Sequence, residues 1–370
     1  MDKLTKKSPR VALIASEHTV TEYRMFLGRL LVGLTDGSIP IALVCPEDAQ
    51  LDSIVLGTAE VIRYPSIQLP FIEHFNKRLL IERLAKFKPD VLHCLCETKE
   101  SLTRQLARRL DLSYLLMVHL LHERWSQFSI SSKRCKRIVT PAKSISTNLA
   151  GLHPRYADLI RQINIGTFTA STSSCFSNPS RIPTIVLSHP FRHADEFEKL
   201  FGALRHLHVE GHEFMVVVIG GGRAETQLWK LLAATDLLPI VTIVPRHTSW
   251  RLVLGTADIF IRPQPTNAFD TVLLEAMSAG AAVAACRGGV DDLIMEASPQ
   301  LASADSGAGN TAVVFNPDDE LSIVAALQQL LSRRELARQI AKNAQDYLKK
   351  NHSVSNMIAA YLELYNEIQK

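Results

Sequence analysis

Residues 257–296 read ADIFIRPQPTNAFDTVLLEAMSAGAAVAACRGGVDDLIME, and three signals alternate within them. Asp258–Arg262 is a short apolar run that stops at a proline-marked turn. Thr271–Ala279 carries apolar residues at helical spacing and ends at Gly280, a residue suited to a helix C-terminus. Ala281–Cys286 is a second apolar run, closed by the Gly288–Gly289 pair. Strand, loop, helix, strand and loop in this order make a βαβ unit. Open parallel sheets collect ligands at the carboxyl ends of their strands, so Gln264–Asp270 and Arg287–Asp292 are expected at such an edge, with Glu275 on the helix between them.

The same alternation extends in both directions. Towards the N-terminus, strands are expected at Thr184–Ser188, Glu213–Ile219 and Ile240–Val244, with helices at Asp195–Leu207 and Trp250–Leu254. The turn Gly220-Gly221-Gly222-Arg223 after the second strand would let backbone N–H groups face a phosphate. Earlier still, strands are expected at Val11–Ala15, Ile39–Cys45, Ala59–Tyr64, Val91–Cys96, Ser113–Val118 and Arg137–Thr140. Helical spacing marks Tyr23–Leu34, Phe71–Lys86, Ser101–Leu110 and Ala142–Leu149. Strands alternating with helices favour parallel sheets covered on both faces. The Ser/Thr-rich stretch 167–181 has no usable period and is expected to link two domains. The resulting map has an N-terminal domain at 1–166, a linker at 167–181, a second domain at 182–345 and a helical segment at 346–370. Ser298–Asn310 is small and polar, as an inserted loop is.

At 370 residues the chain is long enough for two ordinary domains. Its 46% hydrophobic and 21% charged residues describe a globular protein, and a formal charge of +4 gives no reason to expect nucleic acid as a partner. Six cysteines are scattered, most of them in or near apolar runs, and show no zinc or redox motif, which points to a reducing cytoplasm. The basic face of the Phe71–Lys86 helix and the residues just after it (Lys77, Arg78, Arg83, Lys86, Lys88) would admit peripheral contact with an anionic membrane, although a solvated face is the plainer reading. The loop after the first strand, Ser16–Glu22, has none of the glycines that a dinucleotide pyrophosphate needs, which argues against an oxidoreductase.

The order Phe269, Glu275, Ala276, Met277, Gly280 and Val283, followed by Gly288, Gly289 and Asp292, resembles the nucleotide-sugar site of retaining glycosyltransferases of the two-Rossmann-domain, or GT-B, type (group 1, family-4-like). The resemblance implies two facing Rossmann-like domains and a C-terminal helix that crosses back to the first. It implies a nucleotide-diphosphate sugar as donor, with no metal and no other cofactor, and transfer to the hydroxyl of a glycan, lipid or small-molecule acceptor. Glu275 would accept hydrogen bonds from the ribose hydroxyls. Asn267, Ala268, Phe269, Asp270 and Thr271 would form the donor loop, with Asn267 where the family has an acidic residue and Ala268 and Asp270 where it has glycines. Gly221, Arg223 and Arg246 would meet phosphate or base.

His119, directly after the Ser113–Val118 strand, takes the place of a histidine near the reacting groups, with His122 a spare. Glu17, His18 and Thr19 would face the acceptor. The family's Arg and Lys for the diphosphate fall near His189 and Ala194, leaving Arg192 as the substitute cation. Two readings follow: a retaining, metal-independent transferase, or a catalytically degenerate homologue that binds a ligand or protein partner.

Overall fold

The computed structural model describes residues 8–65, 73–125, 128–245, 250–296 and 309–368. Residues 1–7, Arg246 and most of Ser298–Asn310 lie outside the described residues. The chain divides into two compact units, Met1–Gly166 with His352–Lys370, and Thr167–Asn351.

The first unit contains β1 (Val11–Ile14), α1 (Glu17–Glu22), α2 (Arg24–Asp36), β2 (Ile41–Pro46), β3 (Glu60–Tyr64), α3 (Glu73–Phe87), β4 (Val91–Cys94), α4 (Glu100–Leu110), β5 (Ser113–Met117), β6 (Cys135–Thr140), α5 (Lys143–Leu152) and β7 (Ile160–Gln162). Its seven strands pair in the order β3-β2-β1-β4-β5-β6-β7, all parallel. All four residues of β1 and all four of β4 are buried, as expected of strands covered on both faces.

The second unit contains β8 (Thr184–Ser188), α6 (Glu198–Val209), β9 (Met215–Gly220), α7 (Glu225–Ala234), β10 (Val241–Pro245), α8 (Trp250–Leu254), β11 (Ile259–Arg262), α9 (Thr271–Ala279), β12 (Ala282–Cys286), β13 (Val313–Phe315), α10 (Glu320–Ser332) and α11 (Arg334–Asn351). Six parallel strands run β10-β9-β8-β11-β12-β13. Counted within this unit, that is the 3-2-1-4-5-6 order of a doubly wound nucleotide-binding sheet. Its direction reverses between β8 and β11, and a ligand crevice belongs outside the carboxyl ends of those two strands.

The last helix, α12 (Val354–Ile368), belongs to the first unit and packs on α2. Gly33 of α2 faces the Ile358 side chain at a distance that leaves no room for a Cβ. The Gly166 amide donates to the Met357 sulfur (3.1 Å), and Arg29 donates to the Gly166 carbonyl (3.0 Å), so the returning helix meets the end of the first stretch of chain. The change of unit falls after Asn351 rather than at 345, because α11 runs unbroken through that position. Tyr347 therefore serves the second unit, donating to the Asp292 carbonyl (3.2 Å), while Tyr361 and Tyr365 are fully buried in the first.

The stretch 167–181 differs from the expected linker. Its amides at Ala170 and Cys175 donate to the carbonyls of Ser278 (2.9 Å) and Gly280 (3.1 Å), and the Ser174 hydroxyl donates to the Ala257 carbonyl (2.7 Å). Cys175 and Phe176 are buried in the core of the second unit. Two apolar anchors within a run of hydroxyls are enough to turn it into a strap, whose amides and hydroxyls satisfy carbonyls at the end of α9 and just before β11.

A pH dependence follows from the first unit. His93 bonds through Nδ1 to the Tyr365 hydroxyl (2.7 Å) and packs on Tyr361, and burial lowers its pKa to about 3. His119 is lowered to about 3 by burial and, secondarily, by His18. In the unfolded chain both histidines take up a proton near pH 6.5, whereas the folded protein resists protonation down to about 3. Their contribution is therefore fully present above pH 6.5 and declines as the pH falls towards 3, by up to about 1.4 kcal/mol per pH unit for each histidine. Urea melts at pH 7.5, 6 and 5 should show this decline, and His93→Phe should flatten it; a slope unchanged by that substitution excludes His93 as a source.

Candidate functional site

Among the loops that leave the carboxyl edge of the second unit's sheet are those after β8, β9, β11 and β12. The β11–α9 loop is fixed locally. Thr266 and Gly289 form a bridge, the Val290 amide donates to the Thr266 carbonyl (2.7 Å), and the Ala268 amide donates to the Thr266 hydroxyl (3.2 Å). Gly288 and Gly289 have φ of 106° and 66°, which L-residues rarely adopt. A Cβ at Gly289 would collide with the Thr266 backbone, so glycine is required for the loops to meet. Asp270, at a position where the family has glycine, caps α9 by accepting from the Leu273 amide (2.9 Å). The helix ends at Gly280 in the left-handed region.

Glu275 is 3% exposed despite its charge, and its Oε1 accepts from the Thr167 hydroxyl (3.0 Å). Thr167 was not read as a site residue, because nothing local in the sequence marks a partner 108 positions away. Phe269 is buried, Asn267 is exposed, and Thr271 opens the helix.

The β8 loop packs on the glycine turn. Phe191 donates its amide to the Gly221 carbonyl (3.2 Å), and its own carbonyl accepts from the Ala224 amide (3.1 Å). A Cβ at Gly220 would strike the Phe191 ring, and one at Gly222 the Phe191 carbonyl. Two of the three glycines are thus needed to seat Phe191, and only Gly221 faces open space. His189 is paired with Glu196 (3.2 Å) and stacks edge-on against Phe197. Arg192 is exposed, and its carbonyl accepts from Arg223 Nε (3.2 Å). Arg223 Nη2 lies 3.1 Å from His193 Nε2. These two arginines share one surface; Arg246 lies outside the described residues.

Arg262 is a further residue of this edge that matches no motif in the sequence. It ends the otherwise apolar strand β11, is 2% exposed and donates through Nη2 to the Gly288 carbonyl (2.9 Å). A lone cation closing an Ile-Phe-Ile run was the signal available.

In the first unit, the expected polar loop 16–22 is the helix α1. Ser16 and Thr19 cap it reciprocally, the Ser16 hydroxyl accepting from the Thr19 amide (3.1 Å) and the Thr19 hydroxyl from the Ser16 amide (3.4 Å). Thr19 is buried in that cap, so it does not face an acceptor as expected, whereas Glu17 and His18 are exposed. His119 is buried against Tyr23, with ring centroids 4.4 Å apart, and stacks on His18 at 6.2 Å; its Nδ1 has no partner among the described residues. With its pKa near 3, His119 is a neutral imidazole at ordinary pH, able to donate a hydrogen bond but poorly suited to collect a proton. His122 bonds Glu97 (2.6 Å), and its amide donates to Asn148 (2.8 Å), which gives it a structural place. Among the described residues, no three His, Cys, Asp or Glu side chains are grouped to hold a metal, and no helix is long and apolar enough to cross a membrane.

Residues 177–347 match the family model described as glycosyl transferases group 1. A curated relative, a sulfoquinovosyl transferase of Arabidopsis thaliana, is 24% identical over 319 residues, covering 79% of this chain; the chain spans 60% of that relative's length. Among solved structures, a glycosyltransferase from Rickettsia africae superposes with a TM-score of 0.77 at 16% identity, covering 98% of this chain and 99% of the other. HepE of Anabaena, solved with UDP and glucose, gives 0.75 at 12% identity, covering 97% and 100%. Sucrose-phosphate synthase of Thermosynechococcus elongatus gives 0.72 at 15%, covering 98% and 99%. With two doubly wound sheets of this order and whole-chain likeness to these structures, the protein has the GT-B fold, and its residues 177–347 are similar to the group 1 glycosyl transferases.

Proposed function

We propose that the protein transfers a sugar from a nucleotide-diphosphate donor to an acceptor hydroxyl, with retention of configuration and without a metal. The observation that carries this reading is Glu275. A carboxylate buried on α9, held by Thr167 at the carboxyl edge of a nucleotide-binding sheet, is costly unless it has work to do, and acceptance from a vicinal diol suits it. The group 1 match over the same unit and a structural neighbour solved with UDP-glucose support the choice of a nucleotide sugar. His119 is assigned a hydrogen bond to the reacting sugar as a neutral donor, and Glu17 and His18 the acceptor side.

The test is a panel of UDP-, GDP- and ADP-sugars assayed for nucleotide release with glycan, lipid and small-molecule acceptors. His119→Ala is expected to lower turnover about 10²-fold or more while nucleotide affinity stays within about twofold. Equal losses in both would move His119 into the nucleotide's own shell.

One observation favours a second reading, a homologue that binds without transferring. Ala194 stands at the family's lysine position, and His189, at its arginine position, is already paired with Glu196. Nucleotide binding without release of nucleotide from any of these sugars would establish it.

A further inference from the structure

Arg262 has a place and a state that the fold alone does not explain. It is the last residue of β11, which borders β8 where the strand order reverses, so it stands at the edge where a doubly wound sheet takes its ligand. Ile259 and Ile261 point into the core lined by α6 and α10, and strand alternation sends Arg262 to the opposite face. Its guanidinium is buried, yet Nε and Nη1 meet no acceptor, and no carboxylate among the described residues lies within ion-pair distance. Nη2 alone is satisfied, by the Gly288 carbonyl. A buried cation with idle donors is strongly unfavourable unless an anion completes it. The neighbouring basic residues are less well suited: His189 is paired with Glu196, while Arg192 and Arg223 are exposed and screened.

We propose that Arg262 is the phosphate-binding cation of this site. Its idle N–H groups take phosphate oxygens of a nucleoside diphosphate beside the Gly288–Gly289 turn, which is free of side chains, while Nη2 keeps the Gly288 carbonyl. This rests on the nucleotide-sugar reading above and supplies a buried permanent charge where the Ser188–Asp195 loop offers only the exposed Arg192. An Arg serves here better than a Lys, since its planar, always-charged head offers several donors to an oxyanion and to the turn at once.

Calorimetry with UDP and with uridine on the full chain tests it, alongside thermal melts. Arg262→Met should weaken UDP about 20-fold or more and leave uridine within about twofold, with Arg262→Lys recovering part of the loss. Equal losses for UDP and uridine would show that Arg262 only braces the turn, and unchanged UDP affinity in a folded Arg262→Met would overturn the proposal outright. Should Arg262→Met fail to fold, Arg262→Lys decides alone: a UDP loss of about fivefold or more with uridine unchanged supports the assignment, and an unaltered UDP affinity overturns it. A wild-type chain that binds none of UDP, GDP and ADP removes the nucleotide reading and this proposal together, whereas wild-type binding that survives Arg262→Met removes only the proposal.

Discussion

Asp258→Ala should destabilise the second unit by about 3–5 kcal/mol, the largest loss expected from any single carboxylate in that unit. Asp258 is 2% exposed, just before β11. Its Oδ1 accepts from the Phe176 amide (2.7 Å), and its Oδ2 from the Thr184 amide (2.7 Å) and from Arg181 Nη2 (2.8 Å). One side chain thereby pins the strap at 167–181, the start of β8 and the entry to β11. Alanine would leave two backbone donors unpaired in the interior, each costing about 1–3 kcal/mol, besides the lost ion pair. Arg181 is about one-third exposed and can recover water, so Arg181→Ala should cost only about 1 kcal/mol. Asp258→Asn should fall near the alanine variant, because one amide oxygen cannot serve both backbone donors and the NH₂ opposes one of them. Urea denaturation monitored on the second unit measures all three, and the melting temperature of Asp258→Ala should drop by roughly 10–15 °C. A midpoint within error of wild type would mean that the strap is held by its apolar anchors alone.

The alternation of period-2 and period-3.6 segments was enough to read both parallel sheets, because buried parallel strands are nearly uninterrupted apolar runs bounded by turn residues. What escaped was long-range or side-chain-specific. The 167–181 stretch is dominated by hydroxyls, and no local pattern shows that Cys175 and Phe176 have a core to enter. Residues 16–22 look like a loop in sequence because a cap made by two hydroxyls, Ser16 and Thr19, is a weaker mark than one ending in Glu or Gln. In the glycine turn at 220–222, Gly220 and Gly222 are required by Phe191, and a glycine required by a neighbouring residue looks the same in sequence as one required by a ligand. Glu275 is legible in the sequence, where its apolar neighbours on α9 indicate burial; its partner Thr167 is not, and neither is the isolation of Arg262.

Glu275→Ala should weaken the binding of a nucleoside diphosphate by about 2–4 kcal/mol, or roughly 30- to 1,000-fold, the largest functional effect expected in this protein. The carboxylate is held on α9 by the Asp270 cap at one end and the Gly280 terminus at the other, so its direction is fixed before a ligand arrives. The Thr167 hydroxyl donates to Oε1 (3.0 Å), which helps to orient a group that can accept from a vicinal diol. Glu275→Gln keeps the shape but loses the charge and one acceptor oxygen, and should fall between wild type and alanine. Thr167→Val should change affinity less, by about tenfold at most, since it removes only the group that steadies the carboxylate. The competing view is that Glu275 merely satisfies Thr167 inside the second unit. On that view both Glu275→Ala and Thr167→Val lower stability by similar amounts, and nucleotide affinity follows stability rather than residue. Calorimetry with UDP, paired with urea melts of the same variants, separates the two. A folded Glu275→Ala that binds UDP as wild type does would remove Glu275, and the α9 edge with it, from the donor site.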